Sequence, residues 1–187
     1  MFRVLVGLAL AVCTAATANA TTYVPVTFEE LVSRADVIFA GEVVDVRPYT
    51  LQTRDGTVIK TRVIFRVQDP MFGTAAALEV FDFLGGEVGD VGLAVEGMPR
   101  FAIGDRRVMF ARRAPGINPI VGFTQGLLQI RRDSSGVDRV LTLDGMPIAA
   151  TASVGSRAPF LSATPVVPMR LSDFRSQVVR VLGARVR

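Results

Sequence analysis

The feature that most constrains the fold is a succession of strand-like segments with no helix between them. It begins with "DVIFAGEVVDVRPY", residues 36–49. Val37, Phe39, Gly41, Val43 and Asp45 there alternate with Ile38, Ala40, Glu42, Val44 and Val46. Both sides are largely apolar at the start, which suits a central strand. The polar turn "TLQTRDG" follows and ends in Asp55-Gly56. "TVIKTRVIFRVQ", residues 57–68, then alternates cleanly. Ile59, Thr61, Val63, Phe65 and Val67 face one way, and Lys60, Arg62 and Arg66 face the other. Strand, turn and strand predict a hairpin. Further strands are expected over 77–84, 106–112 and 120–131, the last interrupted by Gly122 and Gly126. "VDRVLTL" returns across the turn "DSSG" as a partner. Six or seven strands separated by turns predict an antiparallel barrel or sandwich and exclude an α/β sheet.

A helix is expected at each end of this β region. In "VTFEELVSRA", Thr27 can cap a helix, Glu30 completes a capping box, and Val26 and Leu31 sit at staple positions. Phe28, Leu31, Val32 and Ala35 share its apolar face. In "LSDFRSQVVRVLGARVR", Ser172 is the expected cap. Phe174, Val178, Val181 and Leu182 form a stripe at helical spacing, suited to packing on the β domain. From Gly145 to Met169 the chain is rich in Ala, Ser, Thr and Pro and reads as a long surface connection.

The first twenty residues, "MFRVLVGLALAVCTAATANA", stand apart. Arg3 precedes an apolar run from Val4 to Val12, and Ala18-Asn19-Ala20 is a small-x-small cleavage pattern. This reads as a secretory signal peptide cut after Ala20. The apolar run is too short to span a bilayer core of ~30 Å. Val12 before Cys13 does not fit lipoprotein processing. The predicted organisation is therefore 1–20 signal peptide, 21–145 β domain, 146–169 connection and 170–187 C-terminal helix. The expected location is secreted or periplasmic, with no integral membrane segment once the signal is removed.

Cleavage would take away Cys13, the only cysteine, in a chain that has no histidine. The mature chain would hold no thiol and no disulfide, and would rely on its apolar core, which a domain of this size can supply. Its one lysine is Lys60, and its formal net charge would fall from +4 to +3 with the loss of Arg3. So mild a balance gives little reason to expect nucleic acid. Arg170, Arg175, Arg180, Arg185 and Arg187 collect at the end. A solvated helix face accounts for them, since cations are favoured near a helix C-terminus, and an acidic partner or a membrane surface is the alternative.

Those absences narrow the chemistry. Without His or Cys there is no zinc tetrahedron of the usual kind and no Ser-His-Asp or Cys-His nucleophile. Carboxylates remain as acid-base groups, densest at Asp82, Glu87, Asp90 and Glu96. A carboxylate pair could hydrolyse glycosides and a cluster could bind calcium. Neither has a recognisable spacing here, and solvated loop charges are the plainer reading. These acids lie in or beside "FLGGEVGDVGLAVEGMPRF", residues 83–101, which holds Gly85, Gly86, Gly89, Gly92 and Gly97. A dinucleotide loop must open a helix inside a βαβ unit, and this run does not. It reads as a bent, glycine-hinged connection or strand pinned at Phe83 and Phe101. Gln125, between glycines, reads as a structural tie through its amide, holding the glycine segment, with a ligand contact as the alternative.

"GGEVGDVGLAVEGMPRFAIGDRRVMF" followed by "IVGFTQGLLQI" resembles a family of exported bacterial proteins of unknown function. The matching residues are Gly85-Gly86, Val95, Gly97, Pro99, Phe101, Gly104-Asp105, Gly122, Gln125 and Gly126. With the opening from Phe28 to Val43, the likeness spans about two-thirds of the mature chain. It implies an association with matrixin-type metalloproteases. The segment from Ala35 to Val43 is also similar to netrin-like modules, including the tissue inhibitors of metalloproteinases, and implies an OB-type barrel. Those inhibitors reach the protease zinc through an N-terminal cysteine held by disulfides. The expected mature N-terminus here is Thr21, so that mechanism does not carry over.

The fold expected is mainly β: an antiparallel OB-like barrel of about six strands with a short N-terminal and a C-terminal helix. The function expected is a non-enzymatic, cofactor-free binding module for a secreted metalloprotease or an envelope protein, through a surface near Gly85, Gly86, Glu87, Asp90, Glu96 and Gln125. The rivals are a carboxylate-dependent enzyme or calcium-binding domain acting on extracellular polymer, and a structural envelope protein.

Overall fold

The computed structural model describes residues 24–73, 76–114, 116–154 and 166–184. The expected signal peptide with Cys13 and Ala20, and the terminal Arg185 and Arg187, lie outside them.

The N-terminal helix forms as its sequence demands. Helix α1 runs over Phe28–Arg34, and Thr27 accepts from the Glu30 amide while the Glu30 carboxylate accepts from the Thr27 amide. Six strands then build one antiparallel sheet: β1 (Val37–Thr53), β2 (Gly56–Phe72), β3 (Leu78–Leu84), β6 (Arg106–Ala111), β7 (Leu127–Arg132) and β8 (Asp138–Leu141). Their order is β3-β2-β1-β6-β7-β8. Two three-residue strands, β4 (Gly86–Val88) and β5 (Val91–Leu93), make a separate hairpin. The C-terminal helix α2 spans Leu171–Ala184, so Ser172 lies inside its first turn rather than capping it.

β1 is the axis of the sheet. Its first half pairs with β2 on one side and β6 on the other, and its second half pairs with β2 alone. Register shifts at Ile38/Phe39, Ala40/Gly41 and Val43/Asp45 mark bulges, which bend a strand and increase its twist. The β1–β2 pair thus projects past the rest of the sheet as an arm with an exposed tip.

Side-chain alternation divides the core between the two faces. Ile38, Ala40, Val108, Phe110, Leu128 and Val140 face the helices, packing with Phe28, Leu31 and Phe174. Phe28, Phe110 and Phe174 meet edge to face, with centroids 5.5 to 6.2 Å apart. Val37, Phe39, Val43, Val63, Phe65, Phe81, Phe83 and Met109 fill the opposite, concave face.

The closed barrel expected from sequence gives way to an open sheet. The outer edge of β8 is taken up by chain segments rather than by β3. Val140 N donates to Met169 O at 3.0 Å, and Met169 N to Ile148 O at 2.7 Å. At the other edge, Leu84 N of β3 donates to Ile117 O in the β6–β7 connection at 2.9 Å. Part of the supposed surface connection is core, since Ile148 is fully buried and Val154 is 3 % exposed. Among the described residues, no helix is long and apolar enough to cross a membrane.

Candidate functional site

The glycine run folds into the β4–β5 hairpin and its return strap, and the two form the wall of a cleft. Entry to the hairpin depends on Gly85 and Gly86, whose φ angles are +104° and +132°. L side chains rarely adopt that region. A methyl group at Gly86 would also collide with the Thr61 hydroxyl. Thr61 uses that hydroxyl to donate to Gly85 O at 2.7 Å, and Gly85 N donates to Ile59 O at 2.8 Å. The hairpin is thereby fastened to β2 at its root. Its strap returns through Met98 to Phe101, whose ring sits 4.8 Å from Phe83 and 5.6 Å from Phe65. Phe83 and Phe101 therefore pin the two ends of the run to the concave core.

Between the hairpin and β1 lies an open cleft of about 700 Å³. Its apolar lining comes mainly from Val46, Pro48, Phe83, Leu93, Met98 and Phe101, and Arg100 and Glu87 supply its charged side chains. Pockets that take ligands have this make-up, mostly hydrophobic with few polar groups.

Of the residues singled out from sequence, Gly85, Gly86 and Glu87 line this cleft. Asp90 is exposed at the turn between β4 and β5, and Glu96 is exposed on the strap. Neither lines it. Asp82 projects from the opposite face of β3, where Arg62 grips it through two hydrogen bonds of 2.9 and 3.0 Å. The guanidinium hydrogen bonds, with help from Tyr49, hold its carboxyl below the usual range. A carboxylate so neutralised is poorly placed to act as acid, base or nucleophile. Among the described residues no group of three or more acids could hold a metal ion.

Gln125 lies on the helix side of the sheet and has a different task. Its Oε1 accepts from Val26 N at 2.8 Å, and its Nε2 donates to Val24 O at 3.1 Å. The amide thus clamps the segment that leads into α1. Gly126 beside it is needed for space, since a methyl group there would come within 2.7 Å of Val121 O and 3.1 Å of Phe110 Cβ. The expected strand over 120–131 begins only at Leu127. Residues 121–126 are turn, with Phe123 at φ +67°.

Sequence reasoning missed Val46, Pro48, Met98 and Arg100 as cleft residues. Pro48 carried a usable signal, because proline inside a strand-like run marks an edge. Met98 and Arg100 carried none, since their place depends on contacts with distant strands. No protein-family model and no curated protein matches the chain.

Proposed function

We propose that this chain is an exported, non-enzymatic binding module that engages a secreted protease or an envelope protein through the cleft beside the β4–β5 hairpin. The observation that carries this reading is the cleft itself: an open apolar groove of about 700 Å³ on the segment bearing the family-like motifs. The position of Asp82 supports it too, because this member of the predicted cluster is tied to Arg62 and faces away. The sheet is an opened relative of the OB-like barrel in this proposal. Support comes from the bulged, shared β1 and from the β6–β7 connection reaching β3 at Leu84. The expected absence of cofactor and the secretory signal complete the proposal.

The test is co-purification from periplasm or culture supernatant, together with inhibition assays on a co-exported metalloprotease. Wild type should retain a partner that Met98→Asp, which puts a charge in the cleft, releases. Retention by neither, with no inhibition of any secreted protease, would remove the reading.

A further inference from the structure

The cleft has a second property that its apolar lining does not reveal. One of its walls is a strand edge with unused main-chain groups. The parity of the ladders fixes which residues these are. Val43 N donates to Asp105 O and Val43 O accepts from Gly104 N, so Val43 points toward β6. On β2, Val67 N bonds Ala77 O and Ile59 O accepts from Gly85 N, so its odd-numbered residues point toward β3 and its even-numbered ones toward β1. The partners of Ile64, Arg62 and Lys60 on β1 are Asp45, Arg47 and Tyr49. Those three point at β2, and Val46, Pro48 and Thr50 therefore point outward. β6 does not extend this far, since its ladder with β1 ends at Glu42↔Arg106. Among the described residues no backbone partner meets this stretch of edge.

Resting on the reading of the cleft as a binding site, we propose that the partner binds as an extended peptide strand added to β1 along Val46–Pro48–Thr50. Val46 and Thr50 each offer an N–H and a C=O, and Pro48 offers a C=O. Residues directly opposite in a ladder project from the same face. Val46 and Pro48 line the cleft, so side chains opposite them enter it. Main-chain bonding and apolar insertion then occur in one register, as in other strand-addition complexes. Arg100 stands in the cleft lining, outside every ion pair among the described residues. An acidic side chain on the incoming strand would meet it. Pro48 explains how so open an edge avoids indiscriminate pairing, since proline withholds one donor at its centre.

The probe is a short, end-capped peptide alternating valine and threonine with one glutamate, and its twin N-methylated on the amides that would face β1. Expected results are slowed hydrogen exchange at the Val46 and Thr50 amides on adding the probe, and no slowing with the twin. Thr50→Pro removes an outward donor while sparing the β1–β2 ladder, and should weaken binding roughly tenfold. Thr50→Val should bind as wild type does. Equal binding of probe and twin, equal binding by Thr50→Pro, or no binding at all overturns strand addition. The two proposals separate through the native partner. If Met98→Asp releases it but Thr50→Pro retains it, strand addition fails and the binding reading stands. If wild type itself captures no partner, the binding reading fails.

Discussion

The two faces of the sheet have similar apolar interiors and different lids. On the helix side, α1 and α2 cover a Phe28–Phe110–Phe174 cluster in which every ring is at most 2 % exposed. On the concave side, Phe39, Phe65, Phe81 and Phe83 pack as closely, with centroids 5.6 to 6.3 Å apart along Phe39–Phe65–Phe81. Their cover is a short hairpin and a strap, and it leaves a cleft. A helix brings a continuous apolar stripe. A three-residue strand pair brings a few side chains and cannot seal the same area. The difference separates a face sealed by helices from a face left partly open.

The largest effect that would sharpen this contrast is Phe174→Ala. It should cost about 4 kcal/mol in urea unfolding, because it empties a sealed site. A loss near 1 kcal/mol would mean that α2 is dispensable and the two faces are alike. Next comes Gln125→Ala, which strips the clamp on Val24 and Val26 and should cost about 2 kcal/mol. Hydrogen exchange should then show α1 opening while β2 and β3 stay protected. Protection lost equally on both faces would show that they are not independent.

A smaller effect follows from Asp138, held well below the ordinary carboxylate range by hydrogen bonds from Arg106 and Arg132. A depressed folded value adds stability above the unfolded value of about 3.9, and that stability is lost as pH falls further. Wild type should therefore lose stability below about pH 4 more steeply than Asp138→Asn, which at neutral pH should be weaker by about 1 kcal/mol. Parallel urea-midpoint curves against pH would exclude this role for Asp138. The smallest expected effect is at the cleft. Met98→Ala should change stability by less than about 1 kcal/mol, because Met98 is only partly buried at the margin of the core and borders the open cleft. A cost of several kcal/mol would make the cleft a piece of core.

Local chemistry made parts of this structure readable from the sequence. The α1 capping box and the β1–β2 hairpin are decided by residues close in the chain. The alternation that identified β2 is broken in the sequence by Gln68-Asp69-Pro70, so the pattern stopped at Gln68, while the strand and its alternating exposure continue to Phe72. Residues 121–126 look like strand by composition. Their turn is imposed from outside, by Gln125 reaching Val24 and by Gly126 packing under Phe110. Whether the sheet closes was beyond any local pattern, because the competitors for the β8 edge come from residues near 148 and 169. The cleft was hidden for the same reason. It needs Phe101 beside Phe65, across the sheet.

The Gln125 clamp also sets an order of events for a chain that emerges N-terminus first. Val26 waits 99 residues for the amide that will hold it, and Phe28 waits longer still for Phe174. Contacts of such sequence separation form late and slow folding. Until then the entry segment lacks the two bonds that Gln125 gives it. Its capture by Gln125 and the docking of α2 both need distant parts of the chain, so the helix side of the sheet is complete only once residues up to Phe174 are present.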